Sequence, residues 1–157
     1  MRYKVTIVGL VLLCALSSMS FKCGDGGNTN ANVDPIRRAA KAADTIASSI
    51  TELIKIKRQL AQEGKIKPPE ELALTNALLK ANTADKAFLA AIKQLKSNPS
   101  QSDKANLATL FSTVSAAVNE VDAGVLGVSD TDAKNKLNVI LNTVKASLAI
   151  ISSVVQP

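Results

Sequence analysis

The chain predicts an all-α protein, an antiparallel up-down-up-down four-helix bundle preceded by a signal peptide and a flexible tether. Three observations carry this expectation. From residue 34 onward apolar residues recur at three- and four-residue steps in four successive blocks, the period of a helix with one buried face. The composition holds three Phe, one Tyr and no Trp among 157 residues, with Ala, Leu, Ile, Val and Lys dominant. A sheet would draw on more aromatic and β-branched runs broken by frequent turns. Finally, the blocks are joined by short segments marked by Gly or Pro, and short connections make sequential helices antiparallel neighbours.

Residues 1–20 have the three parts of an export signal of bacterial style. Arg2 and Lys4 form a positive start, residues 5–15 an apolar run, and small residues follow, with cleavage expected after Ser17 or Ser20. The apolar run is short for a membrane span. Residues 21–33 form a polar, glycine-rich tether. Cys14 belongs to the leader, which leaves Cys23 as the single cysteine of the exported chain and a site for lipidation or an intermolecular thiol. Leader, cysteine and tether follow the layout of a bacterial lipoprotein. The local spelling departs from it, because Ser20-Phe21-Lys22 precedes Cys23 where small residues are required.

The bundle occupies residues 34–157, with helices expected at about 35–63, 69–97, 102–123 and 130–155. Asp34 caps the first helix and Pro35 takes its first position. Its seam runs Ile36, Ala39, Ala43, Ile46, Ile50, Leu53 and Leu60, with Lys57 the one polar member, and Gly64 ends it. Glu70 and Glu71 suit the dipole at the start of the second helix. That helix steps through Leu74, Ala77, Ala81, Ala84, Phe88, Ala91 and Leu95, flanked by Leu78 and Ile92. Folding the pair at residue 66 sets Ala47 near Ala84 and Ala43 near Phe88.

Asn98-Pro99 stops the second helix, and Ser100 or Ser102 caps the third. The third seam is Leu107, Phe111, Val114, Val118 and Val121, with Gly124 and Gly127 bracketing the next turn. Ser129 and Asp132 have capping-box spacing. The fourth helix carries Leu137, Ile140, Val144, Leu148, Ile151 and Val155, widened by Val139, Leu141, Ala149, Ile150 and Val154. So broad a stripe is expected to form the centre of the core, or else to offer a face to a partner helix or a membrane. Two hairpins that pack only on dimerisation would satisfy the same pattern.

The residue inventory argues against catalysis. Histidine is absent, which removes the commonest general base and zinc ligand. Glu52, Glu63, Glu70, Glu71 and Glu120 do not repeat on one inward face, as a di-metal bundle site would need. The glycines at 24–27 lack the strand and helix of a phosphate loop, and no serine pairs with a base by spacing. No enzyme, cofactor or metal is expected.

The formal charge is +6, with 19 basic and 13 acidic residues, two of the basic ones in the leader. In the expected topology Arg37, Arg38, Lys41, Lys93, Lys96 and Lys104 gather at one pole, the pole the tether enters. Arg37 and Arg38 oppose their own helix dipole there. Nucleic acid is not expected, since no aromatics interleave the basic residues. The sequence therefore predicts an exported, non-catalytic bundle, periplasmic or extracellular, that binds a protein partner or itself through a helical face. The alternative is a membrane-associated accessory protein, lipid-anchored at Cys23, with its basic pole against anionic headgroups.

Overall fold

The computed structural model describes residues 35–97 and 101–155, with side chains from residue 106 onward in the second stretch. The leader, Cys23, Asp34 and Ser100 lie outside the described residues, as do the side chains of Ser102 and Lys104. Among the described residues there are four α-helices and no strand: α1 (Pro35–Gln62), α2 (Pro68–Ser97), α3 (Gln101–Leu126) and α4 (Thr131–Val155). They pack as a ring. α1 lies against α2 and α4, and α3 against α2 and α4, while neither diagonal pair brings backbones within 8 Å.

The interior is aliphatic, as the periodicity requires. Ile46, Ile50 and Leu53 meet Leu78, Phe88 and Ile92, with Val114, Val118, Leu137, Leu141 and Ile151 from the other two helices, all essentially inaccessible to water. Phe88 and Phe111 form a tilted pair with ring centroids 6.3 Å apart, within the favoured range for aromatic contacts. Burial of this apolar surface is the main term holding the helices together.

Helix ends follow from local chemistry. Gly64 adopts φ 71°, a left-handed turn that glycine enters without steric cost. Its N–H donates to the Ala61 carbonyl and that of Lys65 to the Leu60 carbonyl, the paired bonds of a Schellman stop. Pro68 and Pro69 open α2, and the Lys67 N–H donates to Glu70 Oε2 at 2.9 Å. Glu70 Oε1 also accepts from the Ser129 N–H at 3.2 Å, tying the start of α2 to the α3–α4 connection. These bonds hold the Glu70 carboxyl below its ordinary range. At α4 the cap is Asp130 and not Ser129, as the capping-box spacing suggests: Asp130 Oδ1 accepts from the Ala133 N–H at 2.8 Å, while the Ser129 N–H is committed to Glu70.

Two further features differ from the sequence pattern. α3 continues through Gly124 to Leu126, and Gly124 serves packing rather than the turn: a Cβ there would meet Leu74 Cδ2 at 3.1 Å. The breadth of α4 is core only in part: Leu137, Ile140, Leu141, Val144 and Ile151 are buried, while among the described residues α4 packs against α1 and α3 alone and Val139 (70% exposed) and Ile150 (43%) lie outside.

Candidate functional site

The inner edge of α2 runs Leu74, Leu78, Ala81, Asp85, Phe88, Ile92 and Leu95, alternating steps of four and three. All seven are buried, and the central member is a carboxylic acid. Asp85 is wholly inaccessible to water, and neither carboxyl oxygen has a hydrogen-bond partner among the described residues. Buried polar groups are nearly always paired, so this one stands out. Burial pushes its carboxyl up from the ordinary 3.8 to about 7, and the negative charge of Asp44 on α1 adds to the rise.

The second buried charge has the opposite character. Lys57, the polar member of the α1 seam, is 5% exposed. Its Nζ donates to Thr75 Oγ1 at 2.6 Å and to Glu71 Oε1 at 3.3 Å. Thr75 in turn donates to the Glu71 carbonyl at 2.7 Å. The ammonium group thus completes a short chain of bonds across the α1–α2 interface. This is a structural clasp.

Outside the core, α2 and α3 enclose an open groove of about 670 Å³. Ala84, Ala87, Ala116 and Ala117 make its floor, Thr83 and Thr113 add small polar edges, and Leu79 stands on its rim, 55% exposed. At one end Lys80 reaches Glu120 across the interface at 2.6 Å. Small side chains on both helices leave a concave strip where another apolar chain could approach closely.

Arg37, Arg38 and Lys41 occupy the first two turns of α1, and Lys93 and Lys96 the end of α2; all five are exposed. None enters an ion pair among the described residues. α4 is long and apolar enough by length and composition to cross a membrane, with a mean hydropathy of 1.5, a property shared by core helices.

Asp85 is the site residue that the periodicity argument passes over. The steps through Ala81, Ala84 and Phe88 fit a helical seam equally well and skip it. Its signal is the alternative register in which aliphatic residues one and two turns away flank a lone acid. Comparisons of the chain with protein-family models, with curated proteins and with solved structures find no match.

Proposed function

We propose that this is an exported, non-catalytic helical bundle of a bacterial envelope or exterior that binds a protein partner through the α2/α3 face. The observation that carries the reading is the groove, with its alanine floor and the half-exposed Leu79 on its rim. Apolar surface displayed beside close-packed helices is a common basis of helix-in-groove recognition. Export rests on the charged, apolar and small-residue order of residues 1–20.

The groove belongs to an up-down-up-down bundle in this reading. Between α2 and α3 the pairs Glu70/Ser129, Leu74/Gly124, Lys80/Glu120 and Phe88/Phe111 descend in number on one helix as they climb on the other. Lys57 with Glu71 and Asp44 with Asp85 do the same for α1 and α2. In such an order the exposed basic residues at the start of α1 and the end of α2 share one pole.

A photo-crosslinking residue placed at Ala87, in the groove, should give a discrete protein adduct in the producing cell. The same residue at Ala146, on the outward face of α4, should not. An Ala87 probe that yields no adduct, or the same adducts as Ala146, ends this reading.

The second reading is a membrane-associated protein, supported by five exposed basic residues without ion pairs among the described residues. Each could add about 1 kcal/mol of attraction to an anionic surface. Binding to anionic vesicles should then fall with salt and be lost on changing Arg37, Arg38 and Lys41 to Gln. Absence of binding at low salt would sink it. Acylation at Cys23, read from the intact mass of the membrane-fraction product, belongs to the same alternative.

A further inference from the structure

We infer that Asp85 is a proton-operated latch: the bundle closes around the neutral acid, and loss of the proton loosens the packing of α1, α2 and α3 about it. The inference stands on position. Asp85 lies in the middle of the inner edge of α2, with Leu78 and Ala81 before it and Phe88 and Ile92 after it, all buried. Both of its oxygens are sealed from water, and neither has a donor among the described residues. A neutral carboxyl tolerates such a site far better than a carboxylate, which needs a cation or several donors when taken out of water.

The groups that face it supply neither. From α1 the facing titratable group is Asp44, of like charge, with the exposed Lys41 about one turn away; neither of these enters an ion pair among the described residues. On α2 itself Lys86 is adjacent in sequence but exposed. α3 packs against α2 and has no charged residue from 106 to 119, and α4, across the ring, has none from 146 to 155. Nothing in these stretches can compensate the ionised form. The shift of the carboxyl to about 7 agrees with that geometry and sets the range in which the latch works. The latch requires no partner, so its failure would leave the groove reading untouched, and the reverse also holds.

The test is urea unfolding of the full chain, followed by circular dichroism from pH 5 to pH 8.5, for the wild type, Asp85→Asn and Asp44→Asn. Between pH 5 and 6 the folded state holds about one proton more than the unfolded state, so the unfolding constant should rise nearly tenfold per pH unit there and level off as the pH passes about 7. Asp85→Asn should remove that slope, and Asp44→Asn should move its upper end to lower pH. Hydrogen exchange corrected for intrinsic rate should show residues 81–92 less protected at pH 8 than at pH 5.5. A flat wild-type profile, a slope that survives Asp85→Asn, or unchanged protection of 81–92 would overturn the latch. If Asp85→Asn does not fold, carboxyl ¹³C titration of the wild type decides: an aspartate titrating near neutrality supports the latch, and all aspartates titrating below pH 5 refute it.

Discussion

Among the described residues two ionisable side chains are buried, both at the interfaces of α2, and the bundle treats them in opposite ways. Lys57 enters from α1 near the first connection and finds a hydroxyl and a carboxylate waiting. Asp85 sits further along α2, buried, with no hydrogen-bond partner among the described residues and a like charge facing it. Burial alone is therefore a poor guide to what a charge contributes. At Lys57 the donor is matched by two acceptors. At Asp85 the cheaper route is to give up the charge.

The difference can be broken from either end. The largest effect belongs to Asp85. Its folded carboxyl lies above its unfolded value, so its contribution to stability is intact below pH 3.8 and is lost as pH rises to about 7. At 1.36 kcal/mol per unit that window is worth roughly 4 kcal/mol. Asp85→Leu should accordingly raise the urea midpoint strongly at pH 8 and little at pH 4, a contrast read from two denaturation curves at each pH.

Removing the partners of Lys57 should come next. Thr75→Val leaves the ammonium with only the longer bond to Glu71, and the stability lost should be about 1–3 kcal/mol. Replacing the lysine itself is milder. Lys57→Met keeps the buried stem and returns a partly exposed Glu71 to water, so denaturation should register less than about 1 kcal/mol. If Lys57→Met proved costlier than Thr75→Val, the clasp would be a net stabiliser and the contrast with Asp85 would sharpen. The smallest effect is expected at Lys80→Ala, below about 0.5 kcal/mol, because both partners of that ion pair are at least half exposed.

The acid side bends the other way. Glu63 and Glu70 are held below the ordinary glutamate value, Glu63 chiefly by the Gln59 amide and Glu70 by the Lys67 amide and then by Ser129. Their contributions are present above pH 4.5 and fade as pH falls through the lowered values. Glu70→Gln should blunt the loss of stability in acid and leave the neutral limb governed by Asp85 unchanged, as a full pH profile of the unfolding midpoint would report.

The helical class and its four elements could be read from the sequence because seam residues such as Ile46, Leu53, Phe88, Val114 and Leu137 recur at a period that admits no strand. Other features depend on what lies opposite, which a linear pattern does not encode. The apolar width of α4 does not disclose that, among the described residues, two helices cover it, so Val139 and Ile150 look like core and lie outside. Gly124 reads as punctuation until Leu74 is seen against it. Asp85 is hidden by the alanines around it, since Ala81 and Ala84 complete a plausible seam on their own. The groove was out of reach for the same reason: it is made by two helices jointly, from residues unremarkable on either.

The close approach at Gly124 governs that groove in turn. Leu74 fills the space a side chain would take there, and Phe88 against Phe111 props the same two helices apart further along. Groove residues such as Lys80, Thr113 and Glu120 fall between these two points. The width of an exterior surface is thus tied to an interior calliper whose jaws do not line it. Closing or opening that calliper, by enlarging residue 124 or trimming Phe111, would retune the outer face without altering a single residue that lines it.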